Sequence, residues 1–137
     1  MKFEESKYFN PIKTPKLEMS FGNFYFCENF FVAEVHEGIH FDWEMIKKVM
    51  DNLVDFYGKG IKLGYISNRI NSYSINPQTW FKVDTEYDVI IASAVVTYNN
   101  MAFMNATLEK KFYKKSLKRC LSLDEAVDWI LNIKEMN

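Results

Sequence analysis

Glycine, proline, cysteine and histidine are all scarce in this chain: five Gly, three Pro, two Cys and two His in 137 residues. So little Gly and Pro excludes collagen-like and low-complexity chains. Cys27 and Cys120 stand far apart, which is neither a disulfide framework nor a cysteine-based zinc motif. Both lie in apolar, strand-like stretches and read as buried thiols. No apolar run reaches the roughly 18 residues that suggest a membrane span. The longest, Val89 to Val96 with Ser93 inside it, is of strand length. The opening MKFEESKYFNPIKTPK has no apolar run of signal-peptide length, so the chain reads as cytoplasmic with no transmembrane segment.

Net charge is also missing. Seventeen basic residues against 18 acidic ones give −1, so nothing draws the whole chain towards nucleic acid, and none is expected as a partner. No Gly-rich segment joins a strand to a helix, which excludes a phosphate loop. No spacing suggests a nucleophile elbow or a Ser/His/acid set. The chain therefore reads as non-catalytic, and no cofactor is expected.

What the chain has in excess is aromatic side chains: three Trp, eight Tyr and twelve Phe, 17% of its residues. With 48% hydrophobic residues it can build one compact core, and its length suits one domain. Residues 1–16, polar and broken by Pro11 and Pro15, read as a loose N-terminal arm, leaving 17–137 as a single domain.

From Leu17 the pattern alternates. Leu17, Met19, Phe21, Phe24 and Phe26 form one run and Phe30–Val35 a second, joined by Glu28-Asn29 as a β-hairpin. Asp42 caps the clearest helix, whose core stripe is Ile46, Val49, Met50, Leu53, Val54 and Tyr57, with Gly58 placed to end it. Ile61–Ser67 and Tyr87–Tyr98 read as strands. Asn76-Pro77 starts a short helix carrying Trp80 and Phe81. Asn100–Lys115 reads as a helix with Met101, Met104, Leu108 and Phe112 on one side, and Phe112 is expected on its core face. After a short strand at Leu117–Leu121, Ser122 to Glu125 forms a capping box with Leu121 as hydrophobic staple. The expected fold class is α/β, a four- to five-stranded mixed sheet with about four helices.

Three segments carry chemistry-bearing residues. His36-Glu37-Gly38-Ile39-His40 matches H-E-x-x-H, which binds zinc when it lies within a helix. Here it follows a strand, contains Gly38 and precedes a helix cap, so a turn is the better reading and a zinc hydrolase the weaker one. The polar segment Ser67, Asn68, Arg69, Asn71, Ser72, Tyr73 and Ser74 lies beyond a strand's carboxyl end, where α/β sheets meet ligands. Its plain alternative is a loop held by its own Asn and Ser side chains. Lys110, Lys111, Lys114 and Lys115, with Lys118 and Arg119 following, form either a solvated face or a patch for an anionic partner or membrane surface.

The order of elements, with the closing Leu121, Asp124, Glu125, Ala126 and Trp129, resembles the STAS superfamily (sulfate transporter and anti-sigma factor antagonist), and more closely its bacterial SpoIIAA-like branch. The phrase Tyr65 to Arg69 with Ser74 and Pro77 is similar to that branch too. The resemblance covers about residues 17 to 135. It implies a regulatory module working through contact with a protein partner, and leaves open a homodimer. The likeness of that branch to CRAL-TRIO domains implies, as an alternative, an apolar, lipid-like ligand. The Asp-Ser phosphorylation motif of anti-sigma antagonists is missing from 67–76. A modified serine there would be Ser72 or Ser74.

Overall fold

The alternating run at Leu17–Phe26 folds into two strands, because the chain reverses inside it. In the computed structural model, which describes residues 1–134, β1 (Lys16–Met19) and β2 (Gly22–Phe26) pair antiparallel, and β2 pairs antiparallel with β3 (Phe30–Val35). Gly22 is required at this reversal: a Cβ there would lie 2.7 Å from the backbone oxygen of Glu34. β4 (Leu63–Asn68), β5 (Ile90–Val96) and β6 (Ser116–Cys120) then extend the sheet in parallel from β3. The sheet has six strands in chain order, one or two more than the sequence suggests.

The helices are α1 (Trp43–Tyr57), α2 (Thr79–Glu86), α3 (Asn100–Phe112) and α4 (Leu123–Asn132). The side chain of Asp42 accepts the N–H of Met45, and Gly58, at a φ of 95°, follows the last turn of α1. α2 starts two residues later than Asn76-Pro77 implies, after a turn in which Asn76 accepts the N–H groups of Gln78 and Thr79. At α4, Ser122 accepts the N–H of Glu125, while Glu125 reaches back to the N–H of Leu121. Leu121 itself is exposed, so the expected staple does not form.

Side chains alternate across the sheet and so feed two cores. Phe24, Phe31, Tyr65 and Ile90 face the layer of α1, α2 and α3. Tyr25, Val32, Ile66 and Ala94 face α4. Residues 1–16 are anchored rather than loose. A single 3-10 turn, Phe3–Glu5, buries Phe3 beside Tyr25 and Phe9 on the α4 side, at ring separations of 5.0 and 6.1 Å. Among the described residues no helix is long and apolar enough to cross a membrane.

Candidate binding surface

Ser67, Asn68 and Arg69 stand at the end of β4 and alternate faces, which sends them into two separate polar networks. Ser67 and Arg69 point into the three-helix layer. Arg69 donates Nη1 and Nη2 to the two carboxylate oxygens of Glu109 on α3, at 2.5 and 2.7 Å, and Nε to Ser67 Oγ at 3.0 Å. Trp80 Nε1 donates to the same carboxylate at 3.0 Å. The Tyr73 hydroxyl bonds Ser67 Oγ, and the guanidinium lies 5.2 Å from the Tyr73 ring centre. Glu109 is 1% exposed and Arg69 6%. This is a bidentate, fully desolvated ion pair that joins α3 to the sheet. Both charged groups are turned away from solvent and held to each other.

Asn68 points the other way. Its Nδ2 donates to Glu34 Oε2 at 2.7 Å and to the Met1 carbonyl at 2.9 Å, and it accepts from the Tyr98 hydroxyl at 2.6 Å. The N–H of Phe3 donates to the same Glu34 oxygen at 2.7 Å. Burial pushes the Glu34 carboxyl above its ordinary range, against the two hydrogen bonds that favour its charge. This network pins the start of the chain to the sheet.

The rest of the segment zips against the H-E-x-x-H turn. The N–H of Gly38 donates to Ser72 O, that of Ser74 to Ile39 O and that of Phe41 to Ser74 O. Asn71 Nδ2 reaches Val35 O, Glu37 accepts the N–H of Ser72, and His40 Nδ1 meets Ser74 Oγ at 2.7 Å. Gly38 takes a φ of 77°, which a turn needs and a helix cannot use. His36, Glu37 and His40 therefore lie in and beside a turn and not on one helix face, and Glu37 and His40 have partners in the loop. Among the described residues no three His, Cys, Asp or Glu side chains are grouped to hold a metal. Ser72 and Ser74 are exposed, but several residues before α2 begins. Cys27 and Cys120 are free, and burial pushes their thiols up to about 11 and about 12, away from nucleophilic use.

α3 turns its larger apolar stripe to solvent. Met101, Met104, Leu108 and Phe112 are 74%, 65%, 48% and 40% exposed, whereas the buried residues of α3 are Ala106 and Glu109. Phe112 thus leaves the core face expected for it. Phe81 of α2 is 50% exposed, while Trp80 next to it is buried. Of the lysines around α3, Lys115 is engaged by Asp88 at 2.8 Å and the Ile90 carbonyl at 2.8 Å. Lys118 is 3.8 Å from Glu125, and Arg119 stacks over Phe103 at 4.2 Å. Lys110, Lys111 and Lys114 are exposed and form no ion pair among the described residues. Lys114 lies 4.5 Å from the centre of the Phe81 ring.

Next to this face opens a cleft of about 640 Å³ between the start of α1, α2 and the end of α3. Its walls include His40, Trp43, Asn76, Gln78, Phe81 and Phe112. By contrast, the space between helices and sheet, lined by Phe24, Phe31, Met50, Tyr65 and Trp80 among others, is about 20 Å³. That holds one water at most, against the several hundred Å³ that an enclosed organic ligand requires.

Sequence reasoning missed Glu34, Glu109 and Tyr98, the partners that bind the loop residues inward. Glu34 had a signal: it shares a strand face with Phe30 and Val32. Glu109 had one too, lying three positions after Ala106 and four before Tyr113.

A six-stranded mixed sheet with three helices on one face and a fourth on the other defines a class of small α/β modules. No family model matches the chain, and no curated protein matches it. Among solved structures it is similar to an uncharacterised protein of the DUF3478 family from Shewanella loihica PV-4, described as having a SpoIIAA-like fold. The TM-score is 0.54 over 85% of this chain and 91% of that one, at 10% identity. The fold of this chain is SpoIIAA-like.

Proposed function

We propose that the chain is a non-catalytic regulatory module of the STAS type that acts through protein–protein contact at the outer face of α3 and the adjoining edge of α2. One observation carries the reading: four large apolar side chains in a row, Met101, Met104, Leu108 and Phe112, stand exposed on one helix with Phe81 nearby. Single exposed apolar residues are ordinary, but a contiguous row marks a surface that is covered in use. The exposed residues of the 67–76 segment adjoin the same surface, since Asn76 lines the cleft and Ser74 holds His40 there. The buried networks support this division of labour: Arg69 is spent on holding α3 in place, which gives the row a fixed frame.

A photo-crosslinking residue at position 108 tests the reading in the producing cells. It is expected to trap a defined partner, and Met104→Glu is expected to abolish that adduct while changing stability by less than about 0.5 kcal/mol, as surface substitutions do. Equal adducts from position 48, on the solvated face of α1, would overturn it.

A further inference from the structure

The contact reading leaves open what kind of partner fits, and the charges around the row answer that; the following inference rests on that reading. Lys111 falls on the helix surface within about 20° of Met104 at 100° per residue, so it borders the row directly. Lys110, in the same last turn, points to the opposite side of α3, beside Phe103 and Tyr113, and takes no part, whereas Lys114 lies just beyond the helix next to Phe81. Lys82 of α2 stands at the cleft, 4.8 Å from the Trp43 ring centre. Lys82, Lys111 and Lys114 form no ion pair within 4 Å among the described residues, and Lys114 acts on the half-buried Asp84 only from farther off. The one carboxylate of α3, Glu109, is buried against Arg69. The one carboxylate lining the cleft, Asp42, is the cap of α1. The α3 side of the surface is thus an apolar row bordered at one end by Lys111 and Lys114 with no exposed carboxylate along the helix, while α2 adds Lys82 and, one turn on, the exposed Glu86.

A second copy of the chain does not complement it. An isologous α3–α3 contact would bring the lysine end opposite another lysine end, or opposite Asn99, Asn100, Met101 and Ala102, which carry no acid. A flat lipid surface would satisfy the charges but leave the adjoining cleft of about 640 Å³ empty. The cleft walls also offer the side-chain amides of Asn76 and Gln78, groups that suit a peptide backbone. The row from Met101 to Phe112 spans about 16 Å, or three turns of an opposing helix.

We propose that the α2–α3 face docks an acidic amphipathic helix, with Asp or Glu flanking its apolar ridge and one large apolar side chain entering the cleft between Trp43, Phe81 and Phe112.

Selection of a display library of random peptides on the whole protein tests this. Enriched peptides are expected to carry apolar residues three and four apart with Asp or Glu beside them. Their binding, measured by fluorescence polarisation, is expected to weaken about tenfold or more in Lys111→Glu/Lys114→Glu, to be unchanged in Lys110→Glu on the opposite face, and to weaken with added salt. The milder Lys111→Gln/Lys114→Gln variant is expected to lose less, which separates charge from misfolding. Enriched peptides without acidic residues, or binding indifferent to the Lys111→Glu/Lys114→Glu change, would overturn the proposal. So would retention on phosphatidylglycerol vesicles with no peptide enriched, or a dimer dissolved by Met104→Glu. Any of these outcomes alongside a crosslink from position 108 removes the acidic helix and leaves the contact reading standing. Loss of both crosslink and peptide removes both.

Discussion

Arg69 shows how a residue can be singled out correctly for its chemistry and wrongly for its direction. A lone Arg among Asn and Ser beyond a strand reads as a reaching group. Strand alternation instead carries it inward from Ser67, where Glu109 meets it with both oxygens. The partner lies forty positions away, and nothing local in the sequence pairs the two. Because the pair is desolvated, removing one member leaves a bare buried charge. Arg69→Ala is expected to lower unfolding stability by about 3–5 kcal/mol, read from the urea midpoint. Arg69→Met/Glu109→Gln removes both charges and keeps an acceptor for Trp80, and is expected to recover at least about half of that loss. A strictly additive double variant would show that the ion pair does not couple α3 to the sheet.

At the scale of elements, legibility followed the uniqueness of the pattern. α1 was readable because one stripe, one cap and one terminal Gly agree. α3 was readable as a helix but not in its orientation, because two stripes compete. Met101, Met104, Leu108 and Phe112 form the larger one, while Ala106 and Glu109 form the buried one, where small side chains allow close approach and the ion pair supplies the hold. The first hairpin was hidden because its reversal at Ser20-Phe21 lacks the usual Asn-Gly or Asp-Gly pair and buries an aromatic ring. The N-terminal segment was hidden for a related reason: its attachment depends on Glu34, a carboxylate at an inward strand position. That carboxyl binds its proton more readily folded than unfolded. Its contribution to stability is therefore complete below the unfolded value and is lost as pH rises through the raised folded value. Gln at position 34 can accept the same two donors without a charge. Glu34→Gln should thus gain stability relative to wild type as pH rises from the ordinary carboxylate range towards neutrality, measured by denaturation across pH. A gap that stays constant or shrinks would show that burial does not govern this group.

For the whole molecule, the surplus of aromatics divides between function and packing in a way composition does not reveal. Most of the rings close the two cores. Phe31 stacks on Tyr65 at 4.8 Å, Tyr65 meets Trp80 at 5.4 Å, and Trp80 meets Tyr113 at 5.7 Å, a chain of contacts that fills the space between sheet and helices. That filling is what decides against the apolar-carrier alternative in this conformation. An enclosed lipid would have to displace several of these rings, whose burial is worth about 1.5–3 kcal/mol each, before making its first contact. Added long-chain fatty acid is therefore expected to leave the thermal midpoint unchanged, since only a ligand that binds the folded state raises it. A concentration-dependent rise would mean that the helix layer opens and that the rings between sheet and helices are a pocket lining rather than a core. Without such a rise, apolar recognition by this fold is confined to its outside, where α3 and Phe81 hold a row of large side chains that the core did not take.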